Sequence, residues 1–206
     1  MDLSLYVTAF VTLFVVIDPV GLTPVFIALT PGMAAAQRRR IGFRSLVIAA
    51  VLMTIFGLAG ESILSAIGIS ISAFRIAGGL LLFLTALDML FERRTERREN
   101  QGDGDPLHQD PSVFPLAMPL LAGPGALASM ILLMGEAPGL GHMVMINLMM
   151  LAVLAIAMAL FVIATPLAYA LGRTGVMVVT RLLGMLLAAL SVQFVIDGLK
   201  GSGLYP

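Results

Sequence analysis

The sequence predicts an all-α integral membrane protein of six transmembrane helices, built as two inverted-topology three-helix repeats with helices 1 and 4 discontinuous. Three observations predict it. Of 206 residues, 59% are hydrophobic and only 12% are charged, and the mean hydropathy is +1.03. A soluble chain of this length cannot hide so much apolar surface. The apolar residues fall in long runs, not in the two-residue alternation of a β-barrel. Finally, the runs repeat in order, with helix-breaking residues at matching places.

The runs cover 3–30, 44–67, 71–91, 113–135, 143–171 and 177–199. Each is about long enough to cross a ~30 Å hydrocarbon core as a helix. The first is too long for a signal-peptide core and lacks a basic flank, Asp2 being the only early charge, so it is expected to stay in the protein. The chain reads as one membrane domain, 1–206, with a first repeat over 1–91 and a second over 113–206. Between them, 92–112 is strongly polar. Its Glu99, Asp103, Asp105 and His108 match neither an EF-hand nor a zinc spacing, so the segment reads as a solvated linker with basic anchors. His142 and Glu136 read as residues of a short outer loop. There is no cysteine, which excludes thiol chemistry and disulfides. A net charge of zero argues against a nucleic-acid partner.

The basic residues set the orientation. Arg38, Arg39, Arg40 and Arg44 follow the first run, Arg93, Arg94, Arg97 and Arg98 the third, and Arg173 and Arg181 flank the link after the fifth. Only Arg75 and Lys200 fall on the other side. The positive-inside rule makes the first, third and fifth loops cytoplasmic and places both termini outside, in the periplasm of a Gram-negative host.

"DPVGLTPVF" from Asp18 has an echo in "MPLLAGPGA" from Met118: Pro19 and Pro24 recur as Pro119 and Pro124, 100 residues on. "ILSAIG" (63–68) is echoed by "LAYALG" (167–172), and "RIAGGLLLFLT" (75–85) by "RLLGMLLAALS" (181–191). A unit of three helices, being odd, must insert its second copy from the opposite side, the architecture typical of secondary transporters. Two prolines flanking Gly21 are expected to unwind the first helix over about 18–23, with Thr23 capping a restart at Pro24; in the second copy Gly123 caps and Pro124 restarts. Unwound backbone inside lipid is tolerable only where protein or a wet cavity covers it. Two half-helix N-termini then suit an anion, and the freed carbonyls a cation. Asp18, an ionisable residue deep in a span, is a candidate for binding a substrate ammonium or carrying a coupling proton, or it caps the local turn. The second copy has Met118 there, so the halves are not equivalent.

The candidate substrate site therefore comprises Asp18, Pro19, Gly21, Leu22, Thr23, Pro24, Met118, Pro119, Ala122, Gly123, Pro124 and Gly125. Thr85, Ser129, Asn147, Ser191 and Gln193 are candidates for lining a cavity or joining helices. Asp88, Asp197 and Glu61 lie near span ends, and Arg75 and Arg181 are expected to snorkel.

"VVIDPVGLTPVFIALTPG", "FRIAGGLLLFLTALDML", "FPLAMPLLAGPGAL" and "RLLGMLLAALSVQFVIDGL" closely resemble the MarC family of bacterial inner-membrane proteins, over roughly 5–200 and in order. The matching motif positions are Asp18, Pro19, Gly21, Pro24, Pro119, Gly123, Pro124 and Gly125. Leu22-Thr23 departs from the Asn-x frequent after that Gly. The family's name comes from a multiple-antibiotic-resistance locus and does not establish drug export. The family is grouped with neutral amino acid transporters, some members being described as moving alanine and glycine. The resemblance implies a six-helix protein of the inner membrane and suggests a small neutral amino acid as cargo.

The expected function is secondary active transport of that cargo by alternating access, with H+ or Na+ as coupling ion and no cofactor. The lipid bilayer is the one structural partner expected. An enzyme is not expected: no His lies deep in a run, and no His-Glu-x-x-His or Gly-x-Gly-Asp motif is present. Export of drugs or other small organic solutes, or a non-transporting stress role, are the alternatives.

Overall fold

The computed structural model describes residues 3–91 and 111–203; most of the polar linker, with Glu99, Asp103, Asp105 and His108, lies outside the described residues. All regular structure among the described residues is helical: α1 (Leu3–Ile17), α2 (Pro19–Leu29), α3 (Ala35–Ile67), α4 (Ile71–Leu90), α5 (Ser112–Leu121), α6 (Pro124–Met134), α7 (Leu140–Val162) and α8 (Ala164–Gly201). Five helical stretches are long and apolar enough to cross a membrane: 4–29, 35–67, 71–90, 140–162 and 174–201. The fourth expected span is divided, as its discontinuity led one to expect, between α5 and α6, neither of which is long enough alone.

Two boundaries differ from expectation. Helix α3 starts at Ala35 rather than near 44, because Arg38, Arg39 and Arg40 are good helix formers and prolong it past its apolar part. Its 33 residues span about 50 Å, more than the hydrocarbon core needs. The fifth run does not continue to 171: α7 ends at Val162, and Ile163 (φ −96°, ψ 17°) leaves the helix. Pro166 explains this. It has no N–H for the Val162 carbonyl, and its ring bars an unbroken helix. Helix α8 then bends at Gly172 (φ 60°, ψ 176°). Gly68, the echo of Gly172, ends α3 with φ 83°, so both glycines of the second echo stand where L side chains are disfavoured.

Helices α4 and α8 run antiparallel in close contact along their lengths. A Cβ on Gly198 would lie 2.9 Å from the Ser72 carbonyl oxygen, and one on Gly79 only 2.8 Å from that of Ser191. These glycines are what allow the two backbones to approach, the usual device where lipid supplies no hydrophobic drive between helices. The other helices pack across the halves. Helix α3 lies on α5 and α6, while α7 lies on α1 and α2, and α3 also touches α7. The core runs through this exchange, with Leu13, Ile17, Leu22, Phe26, Met53, Leu82, Leu121 and Met130 all fully buried.

Candidate functional site

The first interruption is narrower than the sequence suggested. Only Asp18 leaves the helix, in the left-handed region (φ 52°, ψ 65°), and it is the one described non-glycine residue with positive φ. Helix α2 restarts at Pro19, not Pro24, and its cap is Asp18, not Thr23. The physical reason is local. Asp tolerates the left-handed region better than most residues. Its Oδ1 accepts the Gly21 N–H at 3.0 Å, and its carbonyl accepts the Leu22 N–H at 3.0 Å. Proline at the first helical position surrenders nothing, since that N–H has no helical acceptor. Pro24 then sits inside α2 and deprives only the Val20 carbonyl of its helical donor. Thr23 is buried, and its hydroxyl donates to the Pro19 carbonyl at 2.9 Å instead of capping. Asp18 is 0% exposed.

The second interruption is wider. Phe114 (φ −130°, ψ 128°) and Met118 (φ −132°, ψ 121°) are extended within α5. Met118, which the sequence echo aligns with Asp18, thus also marks a break. Ala122 (φ −92°, ψ 52°) is again non-helical. Helix α6 starts as expected: Gly123 is its cap residue and Pro124 its first. No side chain caps it. Leu22 and Ala122 are buried, whereas Met118 is 47% exposed. The difference between the breaks is chemical. At α2 a carboxylate of the chain itself holds the Gly21 amide, whereas at α6 the Gly125 and Ala126 amides meet no side-chain acceptor from the cap residue, because Gly123 has none to offer.

The two breaks meet. A Cβ on Gly125 would lie 3.4 Å from Val16 Cγ1, 3.2 Å from Leu82 Cδ2 and 3.7 Å from Thr85 Oγ1. The start of α6 therefore touches α1 two residues before Asp18, and touches α4 at Thr85. Thr85 donates to its own Leu81 carbonyl at 3.0 Å. Ser191 is fully buried and donates to Ala188 at 2.7 Å. Asn147 joins helices: its Oδ1 accepts from Thr54 at 2.9 Å, and its Nδ2 donates to Met143 at 2.9 Å. Gln193 is exposed and donates to Asp197 at 2.9 Å along α8, so it belongs to the helix surface.

Ser129 differs from the other hydroxyls. It is 0% exposed, and its Oγ has no hydrogen-bond partner. Thr12, which the sequence reading passed over, is the same: 0% exposed, with Oγ1 unpartnered. Thr23, Thr30, Ser45 and Thr85 all bond a carbonyl of their own helix. Helices α1 and α6 are antiparallel, since Gly125 meets Val16 while Tyr6 meets the ring of His142, which bonds Leu133. Thr12 is four residues from Val16, and Ser129 four from Gly125, so the two hydroxyls lie at one level above the breaks. A Thr six residues before a buried Asp was the only signal in the sequence.

Rings pack together at both ends beyond the breaks. His142 is not in a loop but is a buried residue of α7. Its Nε2 lies 2.7 Å from the Leu133 carbonyl, and its ring centre 5.8 Å from that of Tyr6. At the arginine-rich end the Phe26 and Phe161 rings stack at 4.3 Å. Glu136, in the turn between α6 and α7, keeps an exposed side chain, yet loss of water beside the apolar helix ends pushes its pKa up; the charges of Arg75 and His142 partly offset this.

A bundle of apolar helices in which two interrupted spans meet defines a multi-pass integral membrane protein, with polar backbone sheltered between its halves. The chain belongs to the MarC family: the sequence pattern of the MarC family integral membrane proteins matches residues 3–202. It is 38% identical over 202 residues to a UPF0056 membrane protein of Archaeoglobus fulgidus, covering 96% of this chain and 93% of that one. It is 34% identical over 202 residues to the UPF0056 membrane protein YhcE of Escherichia coli, covering 97% and 94% of the two chains. It is 32% identical over 204 residues to YvbG of Bacillus subtilis, covering 98% and 97%. No solved structure matches the chain significantly.

Proposed function

We propose that the protein is a secondary active transporter of small neutral amino acids of the glycine or alanine type. In this reading α1–α4 and α5–α8 are two three-helix repeats of inverted topology that rock about the breaks. The observation that carries it is the unequal filling of two juxtaposed helix N-termini. Asp18 occupies the start of α2, while the start of α6 has no side-chain cap. A zwitterion complements this pair: its carboxylate takes the Gly125 and Ala126 amides, and its ammonium faces Asp18. The residues beside the break, Ala122, Gly123, Gly125 and Ala126, are all small, which suits a cargo no bulkier than glycine or alanine. The reading of two repeats is supported by packing that exchanges partners between halves, α3 on α5 and α6 answering α7 on α1 and α2. Alternating access follows from that symmetry, because the same contacts can be made with either half tilted.

The arginine distribution orients the chain with Arg38–Arg44 toward the cytoplasm and both termini outside, in the inner membrane of a bacterium. Coupling is to H+ or Na+, with Asp18 the carrier for a proton. The test is saturable uptake of radiolabelled glycine or alanine into proteoliposomes, with and without imposed proton and sodium gradients. Flux that saturates and competes with unlabelled alanine is expected. Flux of larger organic solutes alone would assign the protein to export of other cargo, and an absence of any solute flux would overturn the transport reading.

A further inference from the structure

Arg38 is unlike the arginines beside it. Arg39, Arg40 and Arg44 are exposed, while Arg38 is only partly so. Its Nη1 donates to Thr165 Oγ1 on α8 at 3.1 Å. The guanidinium carbon lies over the Phe26 ring, 5.6 Å from its centre, and that ring is stacked on Phe161. Its plane and rotation are therefore fixed from two sides. The remaining edge is buried and unanswered: neither Nε nor Nη2 has a hydrogen-bond partner.

Those two nitrogens are the pair that matters. In a guanidinium, Nη1 lies on the side of Cδ, and Nη2 on the side of the Nε–H. The Nε–H and one Nη2–H thus point the same way, spaced for the two oxygens of one carboxylate. A structural arginine would spend this edge on a protein carboxylate or on carbonyls. Here only the Nη1 corner is anchored, and the bidentate edge is held buried without an acceptor, which is costly unless an anion fills it. Phe26 is eight residues beyond Asp18 on α2, about 12 Å along the helix, so Arg38 stands at the arginine-rich end of the half-helix that starts at the break.

We propose that the Nε–Nη2 edge of Arg38 is a binding site for the carboxylate of a small solute, a second carboxylate station below the one at α6. The site deepens the transport reading and rests on it only for the identity of the solute. A tetrahedral phosphate oxyanion presents the same pair of oxygens, from a lipid headgroup. The small carboxylate fits better, because Nε and Nη2 are themselves buried, with the guanidinium lying over the fully buried Phe26 ring, where a bulky lipid headgroup has little access.

The test is titration of the arginine Nε–H resonances in protein labelled with 15N-arginine, held in uncharged detergent micelles. The Arg38 signal is identified by its loss in Arg38→Lys, or, if that variant does not fold, by its displacement in Thr165→Val. Acetate and glycine should move this signal downfield and saturably, whereas glycinamide and sodium chloride at equal ionic strength should not. Thr165→Val, which frees the guanidinium to rotate, should weaken acetate binding several-fold, and Arg38→Lys should abolish the saturable shift. No shift, or equal shifts with glycinamide or chloride, would overturn the site. So would a signal already shifted in phosphatidylglycerol nanodiscs and deaf to acetate there, since a lipid phosphate would then be the occupant. The outcome separates from transport itself: a carboxylate shift without flux keeps this site and rejects the transporter, and flux without the shift does the reverse.

Discussion

Replacing Asp18 separates its two roles, since its geometry and its charge can be removed independently. Asparagine caps helices as well as aspartate does and also tolerates the left-handed region. Asp18→Asn should therefore hold the Gly21 N–H and change stability by no more than about 0.5 kcal/mol. Asp18→Gly loses the cap but relieves the positive φ of 52°, for a net cost of a few tenths of a kcal/mol. Asp18→Ala loses about 1 kcal/mol of capping and keeps an alanine in the left-handed region, at about 1 kcal/mol more, a total of about 2 kcal/mol. Thermal unfolding in micelles, followed by far-UV circular dichroism, should thus rank wild type and Asn together, then Gly, then Ala. Flux should rank differently. If the carboxylate faces the substrate ammonium, all three variants lose it, and amino acid flux falls about 10- to 100-fold even in the stable Asn protein, the weight of a hydrogen bond to a charged group. Equal destabilisation by Asn and Ala would refute the capping argument. Full flux with unchanged ion dependence in Asp18→Asn would refute the charge argument and leave Asp18 as a turn residue only.

Three further outcomes are expected. Gly79→Ala should lower the unfolding midpoint by the equivalent of about 1–3 kcal/mol, because its Cβ would meet the Ser191 carbonyl oxygen at 2.8 Å, whereas Gly141→Ala, with nothing within 4 Å, should raise it through helix propensity. Thr12→Val should be neutral or stabilising in the same melt, since it removes a buried hydroxyl that bonds nothing; a loss above about 1 kcal/mol would mean that the hydroxyl has a partner. By 13C NMR, Glu136 should titrate above the ordinary glutamate value of 4.5, and Arg75→Gln should push it higher still by removing the charge that lowers it. The sign for stability follows: this group's contribution is fully present below the ordinary value and is lost as pH rises through the folded value.

The sequence by itself determined that the chain lies in a membrane, because hydropathy and run length are local sums that no tertiary contact can reverse. It also indicated two places where helices would fail, near Asp18 and at Gly123, since proline and glycine act through their own backbone, but not the extended Phe114 and Met118 or the break at Ile163. It misjudged how wide the first failure is, as two prolines suggested about six unwound residues, 18–23, when one left-handed aspartate suffices to start a new helix. Only the tertiary structure decided what the breaks face. That Gly125 meets Val16 and Thr85, and that Arg38 turns one corner to Thr165 and leaves an edge free, depend on partners 40 to 127 positions away; that Thr12 and Ser129 forgo their own carbonyls is a matter of packing too. Each hydroxyl or guanidinium has the same intrinsic chemistry anywhere in the chain; whether it bonds its own helix, another helix or a solute is set by what packing brings within 3 Å, and no local pattern encodes that distance.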